Sequence, residues 1–121
     1  MSRPLMDEPG VSAQRAAIEE ERRRTGKRID GLQRSHADIV AAAELTSTDD
    51  EHDPEGATIA YERAMVWALL RQARADLVAL DAARGRIDTG TMAVCERCEG
   101  PIAVERLLAL PQTQTCIGCA T

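Results

Sequence analysis

Residues 95–119 read CERCEGPIAVERLLALPQTQTCIGC, and they hold all four cysteines of the chain, as Cys95-x-x-Cys98 and Cys116-x-x-Cys119 with seventeen residues between the inner pair. That interval is the spacing of a four-thiolate zinc site. One C-x-x-C turn lets two sulfurs approach one ion, and a second turn completes the tetrahedron. Gly100 and Gly118 sit where such tight turns need backbone freedom. Three other readings compete: two disulfides, a thioredoxin-like redox pair, or iron on the same sulfurs. A reducing compartment disfavours the first, and the missing βαβ pattern disfavours the second. Four protein thiolates leave zinc no open position for water, so the site reads as structural rather than catalytic. A segment this short cannot bury enough apolar surface alone, so the metal has to supply folding free energy. Between the pairs, Val104 to Leu110 reads as a short helix ending before Pro111.

Upstream of the cysteines the pattern changes to sevens. Ile59, Val66, Ala73, Leu80 and Ile87 step by seven, with Leu70 and Leu77 four on from Val66 and Ala73. A helix is expected from Pro54 to about Arg84, with Asp53 as N-cap, Pro54 at the first position and Gly85 as its stop. Val11, Ile18, Thr25, Leu32 and Ile39 repeat the same step, accompanied by Ile29, His36 and Ala43. Arg15 and Arg22 occupy the accompanying position in the N-terminal half and weaken the seam there. This first helix is expected from Val11 to about Leu45, with lowered propensity at Gly26 and Gly31. Residues 46–53, TSTDDEHD, break the pattern. Two such helices joined by a short polar turn fold back on each other into a coiled-coil hairpin of roughly 45–50 Å. The expected organisation is a loose tail over 1–10, a mainly α antiparallel hairpin over 11–86 with its tip at 46–56, and a four-cysteine finger over 87–121.

Composition agrees with that architecture. Aromatics are 2% of the 121 residues, Tyr61 and Trp67 with no Phe, which suits thin aliphatic helix-on-helix packing rather than a thick core. Trp67 and Tyr61 are expected at the hairpin edge or against the finger, His36 in the seam, and Met65, Val66 and Leu69 in the core. Glu19–Arg23 and Glu20–Arg24 are four apart, so the block EEERRR at 19–24 reads as a solvated helix surface. The net charge of −5 comes from 20 acidic and 15 basic residues, and five of the acidic ones lie within 49–55. Without that segment the charges balance, which disfavours a nucleic-acid-binding surface and marks an acidic tip. Residues 91–121 carry Arg97 and Arg106 against Glu96, Glu99 and Glu105, a poor phosphate-binding surface. The basic residues are 14 Arg and one Lys, a bias that suggests a bacterial source. The longest apolar run, Ala64–Leu70, is far too short for a membrane span, and nothing reads as a signal peptide. A soluble cytoplasmic protein is expected. There is no phosphate loop, nucleophile–base pair or zinc-protease motif, so no enzyme is expected.

The string Cys95-x-x-Cys98, Ile102, Arg106-Leu107, Ala109, Pro111, Cys116-Ile117-x-Cys119 resembles the finger of the DksA/TraR family, and Arg86-Ile87-Asp88 with Gly90 is similar to the approach to it. The resemblance implies a transcription regulator that binds RNA polymerase rather than promoter DNA; no membrane partner is expected, and a monomer is the expected form with self-association left open. It implies one structural zinc on Cys95, Cys98, Cys116 and Cys119. In that family the hairpin enters the polymerase secondary channel, its acidic tip approaches the catalytic centre, and some members act jointly with ppGpp. The tip residues implied here are Asp49, Asp50, Glu51, Asp53, Glu55 and Ala57. DksA-like members carry Asp-x-x-Asp-x-Ala at the tip. Here Asp53-Pro54 matches the first Asp-Pro, but Gly56 and Thr58 hold the second Asp and the Ala positions. Reading Asp50-x-x-Asp53 instead puts Glu55 in place of the Ala. Glu99, rather than Gly, follows Cys98. The alternative reading is a zinc-stabilised interaction module that meets a non-polymerase partner through the hairpin face.

Overall fold

The computed structural model describes residues 7–46 and 54–120. Two long helices dominate: α1, Glu8–Thr46, and α2, Pro54–Thr89. A six-residue helix, α3, Val104–Ala109, and one 3-10 turn, Ile117–Cys119, follow. Among the described residues there is no strand, only an isolated antiparallel bridge between Val94 and Pro101. No described helix is long and apolar enough to cross a membrane.

The helix ends differ from the sequence reading for local reasons. α1 begins three residues before Val11, because Asp7 caps it: the Gly10 N–H donates to Asp7 Oδ1 at 2.8 Å and the Val11 N–H to the Asp7 carbonyl at 2.8 Å. α1 stays helical through Gly26 and Gly31. α2 starts at Pro54 but does not stop at Gly85. Ile87 continues the seam beyond it, and Gly85 faces open space. The stop is Gly90, at φ 73°, where Gly90 N–H donates to the Ile87 carbonyl and Thr91 N–H to the Arg86 carbonyl. That bond pair is a Schellman cap, whose left-handed residue glycine adopts without a Cβ penalty.

The chain divides into two compact units. Of the described residues, the first takes the chain up to Arg24 and from Asp76 onward. Here the helix ends run antiparallel, and charged pairs mark the register. Arg15 meets Asp88 at 2.7 Å, Glu19 meets Arg84 at 2.9 Å, and Arg22 meets Asp81 at 2.7 Å. Four or seven residues forward on α1 correspond to four or seven back on α2. So Glu19 is spent across the pair and on Arg22, while Glu20 serves Arg23 and shares Arg24 with Glu21. The Arg84 guanidinium above all, helped by Arg22, holds the Glu19 carboxyl below its ordinary range. Beneath the pairs lies the core: Ile18, Ala83 and Ile87 pack with Met92, Ala93, Cys95, Ile102 and Leu107. The finger is thus seated on the helices. Gln14, fully buried, adds a polar tie by donating Nε2–H to the Leu107 carbonyl at 2.9 Å.

The second unit spans Thr25–Ala75. Among its described residues Thr25, Leu70 and Ala73 are buried, while Leu32, Ile39, Ile59 and Val66 are half-buried. Two helices without a third layer leave the positions beside the seam open. Met65 and Leu69, expected in the core, are accordingly 46% and 52% exposed. His36 is half-buried in the seam, as expected, against Trp67 at 5.5 Å between ring centroids, and Arg74 lies 6.0 Å from the Trp67 ring. Tyr61 is exposed.

Ile18 is sealed in the core and Val78 is 68% exposed. Ile18→Ala should therefore cost about 2–5 kcal/mol, and Val78→Ala within about 0.5 kcal/mol. Urea unfolding of the zinc-loaded protein checks this; equal losses would contradict the seating of the finger on α1.

Candidate metal centre

Each cysteine pair is delivered differently. After the Gly90 cap, Ile102 N–H donates to the Ala93 carbonyl at 2.9 Å and Cys95 N–H to the Gly100 carbonyl at 2.8 Å. These bonds and the Val94–Pro101 bridge close a turn around Cys95 and Cys98. Its inner side is anchored by burial of Cys95 and Ile102. The left-handed residue of this turn is Glu99, at φ 61°, not Gly100. Gly100 serves by its size: a Cβ there would lie 3.3 Å from Cys98 Sγ, and its N–H donates to that sulfur at 3.4 Å. The second turn carries Cys116 and Cys119, closed by Cys119 N–H donating to the Cys116 carbonyl at 3.0 Å, and it buries none of the residues 117–119. Glu96 N–H donates to the Gln114 carbonyl at 2.9 Å, joining the two turns.

The four sulfurs converge: all lie within 4.8 Å of one another, and none is in a disulfide. Cys98 Sγ and Cys116 Sγ are 3.7 Å apart. Zinc–sulfur bonds of about 2.3 Å in a tetrahedron require sulfur separations of about 3.8 Å. The donor set therefore fits a zinc ion, and a closed set of four thiolates assigns it a structural role. Crowding four thiols shapes their acidity. Backbone N–H groups, that of Cys98 first and then that of Cys116, hold the Cys95 thiol down to about 6. At Cys98 the Gly100 N–H pulls the other way, but the Cys116 and Cys95 thiols outweigh it and the group rises. Cys119 is pushed up to about 12, chiefly by the Cys116 thiol. A dication at the centre reverses this, since only thiolates bind it.

The tip residues stand apart from this centre in the sequence. Asp49, Asp50, Glu51, His52 and Asp53 lie outside the described residues. Glu55 belongs to the first turn of α2, and Ala57 is exposed in the same helix.

Residues 88–121 match the family model of the prokaryotic dksA/traR C4-type zinc finger. The resemblance read from Cys95 to Cys119 holds. The finger is one part of a wider likeness. The chain is similar to the solved structure of transcription factor DksA2 from Pseudomonas aeruginosa, at 26% identity and a TM-score of 0.76. That likeness covers 93% of this chain and 81% of the other. No curated protein matches. Sequence reading of the C4 finger missed Gln14 and understated Arg106. Gln14 has no local signal, being a polar residue beside a heptad position. Arg106 is visible as the one cation in the otherwise apolar helix VERLLA, apart from Glu105.

Two predictions follow from this geometry. At pH 7 the metal-free finger keeps protons on Cys98 and Cys119 while Cys95 is already a thiolate. Zinc uptake then releases protons, and zinc affinity falls as pH falls, more steeply once Cys95 protonates below about 6. Competition with a chromophoric chelator from pH 7.5 to 5 measures this; a flat profile is the contrary result. Glu99→Gly removes a left-handed penalty of about 1–2 kcal/mol at the cost of roughly 0.5–1 kcal/mol of extra chain entropy. The zinc-loaded variant should gain up to about 1.5 kcal/mol in thermal unfolding, whereas destabilisation would show that Glu99 makes a compensating contact.

Proposed function

We propose that the chain is a transcription regulator that binds RNA polymerase through the secondary channel, with the finger as a structural part. The observation that carries this is the combination of the C4 finger at 88–121 with a likeness to a DksA-type transcription factor over 93% of the chain. What supports the channel reading is a pair of antiparallel helices with, among the described residues of the Thr25–Ala75 unit, no third layer packed on them. On this reading Asp49, Asp50, Glu51, Asp53, Glu55 and Ala57 form the effector tip. Their carboxylates act electrostatically near the bound magnesium of the polymerase or against basic channel residues. On this reading the protein works in the cytoplasm, as a regulator and not an enzyme, and any action of ppGpp is joint with polymerase.

The second reading, an interaction module for another protein, is favoured by the apolar side chains that α2 leaves uncovered. Met65 and Leu69 border an open groove flanked by Asp38 and Glu62, and Trp67 borders another with Val40. The two readings separate in a co-purification. Wild type should recover the host polymerase, and a variant lacking 49–56 should recover it nearly as well. Asp50→Asn with Asp53→Asn should abolish the effect on reconstituted initiation, with or without ppGpp, while binding survives. Recovery of a different protein and no polymerase subunit would favour the interaction module. A double variant that transcribes like wild type would remove the tip from the mechanism.

A further inference from the structure

The two halves of the metal centre are supported unequally. The turn carrying Cys95 and Cys98 is built by backbone bonds and by burial against Ile18 and Ile87. The turn carrying Cys116 and Cys119 buries none of the residues of its 3-10 segment, and Ile117 is 82% exposed. Cys116 and Cys119 pack only at the edge of that core and the Glu96–Gln114 backbone bond joins the two turns, but the residue directly before Cys116 is held by a side chain. Half-buried Arg106, on α3, donates Nε–H to the Thr115 carbonyl at 2.9 Å and Nη2–H to Thr113 Oγ1 at 3.4 Å. Thr113 Oγ1 in turn donates to the same Thr115 carbonyl at 3.3 Å. The guanidinium fork therefore closes a ring over the residue directly before Cys116. Next to it on α3, Leu107 is fully buried in the core shared with the helices, so the arginine projects from an anchored element. An exposed Arg97 adds a longer contact to the Cys119 carbonyl at 3.3 Å.

We propose that Arg106 is a positioning residue for the zinc centre: it holds the Cys116–Cys119 turn at ligand distance from Cys95 and Cys98, so that the metal meets a nearly complete site. Arg106 reaches no sulfur; it acts on the ligands through Thr115. A planar fork suits this role, because two acceptors fix both distance and direction. A lysine would keep the charge but, as a single point donor on a flexible stem, could not fix the turn in the same way. Groups that orient metal ligands in this manner govern retention of the ion nearly as much as the ligands do.

The test compares wild type, Arg106→Gln and Arg106→Lys as full-length chains, with zinc itself as the probe. Zinc affinity is read by competition with a chromophoric chelator, and amide exchange of residues 113–119 is read in the metal-free chains. Arg106→Gln should bind zinc about 10–100-fold more weakly, and amides 113–119 should exchange faster even without metal. Arg106→Lys should recover only part of the affinity. Zinc binding within twofold of wild type in Arg106→Gln overturns the proposal. So does full recovery in Arg106→Lys, which would make charge rather than the fork responsible. Thr113→Val guards against loss of the fold, since it removes only one hydroxyl, with its bonds to Arg106 and Thr115, and leaves Arg106 and Leu107 in place. It should weaken zinc binding by about threefold, the size of one modest hydrogen bond, and an unchanged affinity overturns the proposal as well.

Discussion

Sulfurs from two turns, seventeen residues apart in sequence, have to reach one ion, and much of the finger is arranged around that requirement. The segment is too small to enclose the site with a core of its own. It borrows one: Cys95, Ile102 and Leu107 are buried in the same cluster as Ile18, Ala83 and Ile87 of the two helices. Metal binding and helix packing are therefore not separate sources of stability at this end. Zinc fixes the finger's shape, that shape presents Leu107 and Ile102, and their burial ties α1 to α2. Gln14 adds direction to a contact that apolar packing leaves rotationally loose, since its amide meets a single carbonyl on α3. Its Oε1 has no protein partner, so its net contribution is smaller than a fully paired amide would give.

The charged pairs in the same unit do something different. Arg15–Asp88, Glu19–Arg84 and Arg22–Asp81 all lie at the surface, where solvent screens them, so each contributes little to stability and some contribute nothing. Their value is in the register they select. A slip of one heptad would leave some of these charges opposite the wrong partner or none, while the apolar seam would repeat with little change. Aliphatic sevens alone specify that two helices associate; the arginines and carboxylates specify which residues face each other.

The features legible in the sequence were those with a period or a spacing. The sevens placed both helices, and the cysteine interval placed the metal centre and its four ligands. The features that were not legible depend on partners remote in sequence. Glu19 has arginines three and four residues away, yet it reaches Arg84, 65 positions on. Gln14 finds its acceptor 93 positions on. Local rules also misplaced the end of α2, for an instructive reason. Gly85 and Gly90 both satisfy a compositional stop signal, but only Gly90 follows the last seam residue, Ile87, and takes the left-handed conformation. A glycine stop therefore has to be weighed against the apolar period that runs through it. The same holds at Cys98, where the sequence suggested that Gly100 supplied the turn. The chain uses Glu99 for the left-handed residue and keeps Gly100 for closeness to sulfur.

The thinness foreseen from an almost aromatic-free composition has a consequence for where stability resides. In the unit that carries the finger, Ile18, Leu80 and Leu107 are all sealed from solvent. In the Thr25–Ala75 unit, Leu70 is the one large aliphatic side chain among the described residues to be fully buried, and Thr25 is buried with an unpaired hydroxyl. Burial of a large aliphatic side chain is worth about 1.5–3 kcal/mol, whereas a buried hydroxyl without a partner costs free energy. The unit around the metal is thus the better-stabilised one, and the Thr25–Ala75 unit relies on half-buried contacts such as His36 against Trp67. A pair of helices with so little buried between them keeps its register mainly through helix continuity and its pairing residues. A two-helix pair has this cost built in: without a third layer the positions beside the seam stay open, as at Met65 and Leu69.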